Sequence, residues 1–239
     1  MRTIGLIGGM SWESTAVYYR LINTLVRERL GGLHSAEILL RSVDFSRVVA
    51  LQKAGDWHGA GVLLGDVAEN LARDGADSVL ICTNTMHLVA DQVAARPGVR
   101  LIHVIDETAA ALRAAGCVRP LLLATAYTME HGFYTGRMAA HGIQTQVPEA
   151  ADRAVVHGVI FEELCQGIVR AVSRQTLMQI IARGRAAGAD SVILGCTEIC
   201  LLLDPAALGC PGFDSTAIHA RAAVDDALRG EAVAAAAAA

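Results

Sequence analysis

Two cysteines define the chemistry open to this chain. Cys82 and Cys196 close two nearly identical segments, Gly75-Ala76-Asp77-Ser78-Val79-Leu80-Ile81-Cys82-Thr83 and Gly188-Ala189-Asp190-Ser191-Val192-Ile193-Leu194-Gly195-Cys196-Thr197. Each apolar run reads as a buried parallel strand. The position just past the carboxyl end of such a strand is where open α/β sheets place ligands. If the segments belong to two similar domains, two thiols face each other across a cleft. Opposed acid/base groups of that kind can take a proton from one side of a carbon and return one to the other.

The residues around the sulfurs suit an anionic ligand. Thr83, Asn84, Thr85 and Thr197 supply hydroxyl and amide groups that can hold a carboxylate. A helix-compatible stretch follows each cysteine, and a helix amino terminus favours a thiolate. Gly8-Gly9-Met10-Ser11 is a turn between strand and helix that can cradle an anion. It is not the three-glycine dinucleotide fingerprint. Cys196 and Cys200 stand four apart, and His87 follows Cys82 by five. Without a Cys-x-x-Cys or His-x-x-x-His pairing these residues predict no metal site. A Gly-x-Ser-x-Gly elbow is also lacking. His34, His103 and His219 have no partner nearby in sequence and read as surface or capping residues. Cys117, Cys165, Cys200 and Cys210 read as small packing residues.

The elements that must carry these groups alternate between strand and helix. Strands are expected over 3–8, 35–43, 77–81 and 101–104, with helices over 12–30, 46–73 (broken near Gly55), 85–95 and from 105 to 115. A second cycle follows, with strands over 120–124, 143–147, 190–194 and 211–213. Its helices are expected over 128–141, 148–170, 173–187 and 215–228. Ile4 and Leu121 are 117 residues apart and Cys82 and Cys196 are 114 apart, so two landmarks keep nearly one offset. The fold class is therefore α/β, with two pseudo-equivalent parallel-sheet domains facing each other across a cleft. The first spans 1–115 and is rejoined by the C-terminal helix 214–229; the second spans 116–210; an Ala-rich tail occupies 230–239.

Composition narrows the partners. The chain has 239 residues, 53% hydrophobic and 18% charged, with a net charge of −4. Its pI is about 6.0. That excludes the concentrated Lys and Arg of a nucleic-acid binder. No uninterrupted run approaches the roughly 18 apolar residues of a membrane span, and the amino terminus lacks the features of a signal peptide. Six cysteines without an export signal predict reduced thiols and a cytoplasmic protein.

Three segments together resemble the aspartate/glutamate racemase superfamily, and the likeness runs along nearly the whole chain. They are Ile4-Gly5-Leu6-Ile7-Gly8-Gly9-Met10-Ser11-Trp12-Glu13-Ser14-Thr15, Cys82-Thr83-Asn84-Thr85-Met86-His87 and Gly195-Cys196-Thr197-Glu198-Ile199. The sequence is most similar to the aspartate racemase branch, which includes broad-specificity amino-acid racemases. Glutamate racemases typically carry His where Glu198 stands. The resemblance implies an amino-acid substrate, no pyridoxal phosphate or other cofactor, no metal and a homodimer. It implies Cys82 and Cys196 as the acid/base pair, with Met10, Ser11, Gln52, Thr83, Asn84, Thr85, Thr125, Thr197 and Glu198 lining the substrate site. Some aspartate racemases carry a Lys in or just after the segment matching Phe161-Glu162-Glu163-Leu164. Here Cys165, Gln166, Gly167 and Ile168 follow, no Lys occurs beyond Lys53, and Arg170 is the nearest cation. Neutral amino acids are thus expected alongside aspartate. Two other classes fit the residues: a thiol isomerase or lyase of a small dicarboxylate, as in maleate isomerase, and a non-catalytic amino-acid-binding module.

Overall fold

The computed structural model describes residues 1–237. Within them lie two three-stranded sheets. Strands β1 (Ile4–Gly8), β2 (Ile38–Ser42) and β3 (Ser78–Ile81) form the first, in the order β2-β1-β3. Strands β4 (Pro120–Leu123), β5 (Ser191–Leu194) and β6 (Gly212–Asp214) form the second, in the order β4-β5-β6. All pairings are parallel. The chain is thus mixed α/β, as the alternating pattern predicts.

Helices α1 (Trp12–Leu30), α2 (Phe45–Ala54), α3 (Trp57–Arg73) and the short α4 (Ala90–Ala94) connect the first sheet. Helices α5 (Val104–Ala114), α6 (Ala126–Glu130), α7 (Phe133–Ala140), α8 (Ala150–Gly158) and α9 (Ala171–Ala186) accompany the second. Helix α10 (Ser215–Ala237) closes the chain and runs on through the expected tail as far as Ala237; residues 238–239 lie outside the described residues. Local capping explains the starts. Ser11, Asp44 and Asp56 each accept a backbone N–H from the first turn of α1, α2 and α3, which satisfies donors a helix leaves orphaned.

Two compact units result: Met1–His103 together with the chain from His219 onward, and Val104–Ile218. In the first, alternate strand residues supply two cores. Ile7, Val79 and Ile81 pack with Val48, Leu64 and Val93 on one face. Ile4, Leu6 and Leu80 pack with Tyr18, Ile22, Val26 and Val224 on the other. A parallel sheet covered on both faces needs such near-continuous apolar strands. In the second unit, Leu121–Ala124 and Val192–Leu194 share one core with Leu112, Ile160 and Leu177.

Several expected elements differ. The segment 101–104 forms one bridge, Val79 to Leu101, and no strand. Val104 instead opens α5, whose first turn carries Asp106 and Glu107, an arrangement the helix dipole favours. Its residues Val104, Ile105 and Leu112 belong to the second unit's core, so that unit begins one helix earlier than residue 116. The segment 143–147 is likewise a single bridge, Leu121 to Gln146; Pro148 follows and cannot extend the ladder. Residues 85–95 begin as a 3-10 turn before α4. The stretch 128–141 is split into α6 and α7 at Gly132. Residues 148–170 resolve into α8, a π-helical turn over Val159–Glu163 and a 3-10 turn over Leu164–Gln166.

Candidate functional site

Parallel register decides what meets at the sheet ends. The last β1–β3 pair is Ile7 with Ile81, and the last β4–β5 pair is Leu123 with Leu194. Met10 and Ser11 therefore leave the first sheet on the same side as Cys82, Thr83, Asn84 and Thr85. Thr125 leaves the second sheet on the same side as Cys196, Thr197 and Glu198.

In the first unit Gly9 makes the turn possible. Its φ is +90°, and a Cβ there would sit 2.1 Å from the Val43 carbonyl oxygen. Its N–H donates to Thr15 Oγ1 at 2.8 Å, and Ser11 Oγ accepts the Ser14 N–H at 3.2 Å. Ser14 Oγ then donates to the Cys82 carbonyl at 3.2 Å, tying the start of α1 to the cysteine loop. Cys82 N–H still bonds the sheet through Ile7 O at 3.0 Å, and Thr83 N–H bonds Ile81 O at 2.8 Å. Gln52, buried on α2, donates Nε2 to Met86 Sδ at 3.1 Å. Met10 and Met86 share one core cluster.

In the second unit Thr125 caps α6, accepting the Thr128 N–H at 3.3 Å. Gly195 N–H donates to Leu123 O at 2.8 Å. A Cβ on Gly195 would lie 2.7 Å from Leu122 Cδ1, so a larger residue before Cys196 requires the Leu122 side chain to shift. Cys196 Sγ donates to Glu198 Oε2 at 3.0 Å. Thr197 Oγ1 lies 3.0 Å from Thr216 Oγ1, and Ser215 Oγ donates to Leu194 O at 3.0 Å. The arrangement offers one thiol and a hydroxyl-bearing turn at the carboxyl end of a strand in each unit. Such a thiol can exchange a proton with a carbon acid once it is ionised.

The Asp/Glu/hydantoin racemase family model matches residues 7–223. The chain belongs to this family. Solved structures agree. A candidate Asp/Glu racemase of Yersinia pestis is 49% identical, covering 96% of this chain and 100% of that one, with a TM-score of 0.90. An aspartate racemase homologue from Pyrococcus horikoshii is 31% identical over 95% and 99% of the two chains, with a TM-score of 0.84. An aspartate racemase of Picrophilus torridus, 22% identical over 95% and 94%, shares the fold at a TM-score of 0.73.

The electrostatics of this racemase-family chain differ from the sequence expectation in one respect. Helix termini were expected to favour thiolates, yet both thiols are pushed well above their ordinary range. Burial alone raises Cys82. Burial raises Cys196 as well, and the charge and hydrogen bond of Glu198 add to it. The segments that follow are five-residue 3-10 turns, too short for a substantial dipole, so desolvation of the charged form wins.

Two histidines also depart from expectation. His103 and His219 are buried, not surface residues, and His87 is buried beside them. Ring centroids of His87 and His103 are 4.7 Å apart, and those of His87 and His219 are 5.7 Å apart. Only the place of His87, five residues after Cys82, signals this cluster in the sequence. Among the described residues no group of three His, Cys, Asp or Glu side chains is arranged to hold a metal ion, and no helix is long and apolar enough to cross a membrane.

Proposed function

We propose that this family member is a cofactor-independent, pyridoxal-phosphate-free amino-acid racemase that interconverts L and D enantiomers by two-thiol proton transfer. The observation that carries the reading is the repeated placement of Cys82 and Cys196, one and two residues past the end of a buried parallel strand and each followed by a hydroxyl-bearing turn. The reading requires both thiols to reach one α-carbon. Met10, Ser11, Gln52, Thr83, Asn84 and Thr85 line the substrate from the first unit; Thr125, Thr197 and Glu198 line it from the second.

Both thiols are neutral at rest, so one must first ionise. Glu198 Oε2, already accepting from Cys196 Sγ, takes that proton. The Cys196 thiolate then removes the α-proton, and Cys82 delivers its thiol proton to the opposite face, becoming the thiolate. The reverse reaction exchanges the roles. General acid/base catalysis supplies about 10²–10⁴-fold. The remainder must come from donors gathered on the α-carboxylate, where carbanion charge spreads.

The substrate is aspartate or a broader set. The residues after Glu163 bring Cys165 and Gln166 in place of a lysine, which favours neutral amino acids alongside aspartate. All six cysteines are free, which supports a reducing, cytoplasmic setting. A homodimer belongs to the same reading and is checked by sedimentation velocity.

Incubation of the reduced protein in D₂O, without cofactor, with L-aspartate, L-glutamate, L-methionine and L-homoserine tests the reading. Loss of the α-proton by NMR and D product by chiral chromatography are expected, and both are lost in Cys82→Ala and in Cys196→Ala. A folded, reduced protein that exchanges none of these α-protons overturns it.

A further inference from the structure

The backbone on either side of Cys82 is unusually constrained. Cys82 is the centre of a three-residue turn closed by Thr83 N–H to Ile81 O at 2.8 Å, a geometry common where a strand ends. Its carbonyl receives Ser14 Oγ. The next carbonyl, that of Thr83, lies 2.8 Å from His87 Nδ1. A carbonyl oxygen only accepts, so Nδ1 carries the hydrogen and the His87 tautomer is fixed at that atom.

His87 is itself held. Its ring meets His103 and His219 edge-on, at interplanar angles of 61° and 66°. His219 is anchored at both nitrogens. Nε2 donates to the Ile102 carbonyl at 2.8 Å, which leaves Nδ1 to accept from the Tyr18 hydroxyl at 2.9 Å. Burial lowers its pKa to about 4, so at neutral pH this wall of the cluster is uncharged. His103 is the last residue before α5, and His219 is the first residue of α10 assigned back to the first unit. The imidazoles that pack on His87 therefore stand where the chain leaves its unit and where it returns.

We propose that His87 is a positioning residue for Cys82: its Nδ1–H holds the Thr83 carbonyl and thereby sets the direction of the Cys82 thiol, with His103 and His219 as its packing support. The catalytic consequence rests on the racemase reading above. Misplacement of a reacting group by about 1 Å can cost up to about 10²-fold in rate. Loss of the Nδ1–H bond thus acts on kcat, while substrate binding through other residues leaves KM nearly unchanged.

The test uses the full chain with His87→Asn, His87→Gln and His87→Leu. An Asn amide nitrogen sits where Nδ1 sits, whereas a Gln amide reaches toward the position of Nε2. In His87→Leu we expect kcat to fall about tenfold to a hundredfold with KM within about threefold. His87→Asn recovers most of kcat and His87→Gln does not. A second readout is independent of racemisation: alkylation of each cysteine by iodoacetamide, followed by peptide mass spectrometry. His87→Leu changes the rate at Cys82 and not at Cys196, and His87→Asn restores it. Thermal melting reports folding; should His87→Leu not fold, the order Asn above Gln still decides. The proposal is overturned if His87→Gln matches or exceeds His87→Asn. It is also overturned if His87→Leu leaves both kcat and Cys82 alkylation at wild-type values, or alters both cysteines alike. If the wild-type protein racemises none of the amino acids tested, the racemase reading fails, and the alkylation rates still decide whether His87 positions Cys82.

Discussion

At Cys82 the thiol is fully buried, and the groups ordering its loop are hydroxyls and imidazoles. Cys196 is slightly more exposed as a residue although burial still raises its thiol, and a carboxylate two residues on accepts its hydrogen. Yet the strands that deliver them start alike. Asp77 Oδ2 accepts the Thr3 N–H at 2.7 Å where β1 begins, and Asp190 Oδ2 accepts the Val118 and Arg119 N–H groups at 2.8 Å just before β4. Gly75 and Gly188, two residues earlier, both have positive φ. The repeat therefore encodes a way of entering a strand beside its neighbour. The halves diverge only past the carboxyl end of each strand. Similar scaffolds thus carry unlike acid/base groups: a lone buried acid in one unit and a thiol–carboxylate pair in the other.

Removing either thiol is the harshest way to break the comparison. Cys82→Ala and Cys196→Ala should each lower racemisation by about 10³-fold or more, near the limit of what general acid/base catalysis contributes. Chiral chromatography checks this. If Cys82→Ala kept most of its activity, the two-base assignment would be lost.

Glu198→Gln sharpens it. Because Glu198 raises the Cys196 pKa through both charge and hydrogen bond, the amide should shift Cys196 alkylation to lower pH and leave the Cys82 profile unmoved. Turnover should nevertheless fall, by about tenfold to a hundredfold, since the proton acceptor is gone. An unchanged Cys196 profile would remove Glu198 from any role at that sulfur.

The third difference is one of stability. His219 belongs to the first unit, and its pKa is lowered from 6.5 to about 4 by burial. The unfolded chain takes up this proton below about pH 6.5, the folded chain only near pH 4. Its stabilising contribution is therefore complete above pH 6.5 and lost as pH falls toward 4, amounting to about 3 kcal/mol. Native-state hydrogen exchange should show amides of β1 and β3 losing protection through this window. In His219→Gln that loss should shrink. An unchanged pH dependence in the variant would mean that the ring is charged or solvated in the folded protein.

Legibility in the sequence follows the distance over which each feature is encoded. The strands β3 and β5 are readable because Gly-Ala-Asp-Ser and three apolar residues are contiguous. The segments 101–104 and 143–147 are apolar at their ends but carry polar residues between, and each finds a partner for one bridge only. The Gly-Gly turn before Ser11 and the cap on α1 were local and visible. The histidine cluster was not, because Tyr18 and His219 meet across 201 residues. Glu198 was visible as a neighbour of Cys196. Its effect on the thiol was not, because residue order does not show that the carboxylate folds back onto the sulfur.

The smallest expected difference lies in the repeat itself. Asp190 holds two backbone N–H groups and receives Ser191 Oγ at 2.7 Å, whereas Asp77 holds the Thr3 N–H. The hydrogen bonds from Ser191, Val118 and Arg119 outweigh desolvation and keep the Asp190 carboxyl below its ordinary pKa. That contribution is present above the unfolded carboxyl's pKa and lost as pH falls through the folded one. Both side chains sit at the surface, so solvent screens the charge and the number of donors held should set the effect. Asp190→Ala should cost about 2 kcal/mol and Asp77→Ala about 1 kcal/mol in urea unfolding at pH 7. As pH falls through the lowered pKa of the folded Asp190 carboxyl the gap should narrow, because the Asp190 advantage depends on ionisation. Equal losses at pH 7 would mean that the repeated aspartates act through the turn that Gly and Ala shape, and that the extra donors on Asp190 add nothing.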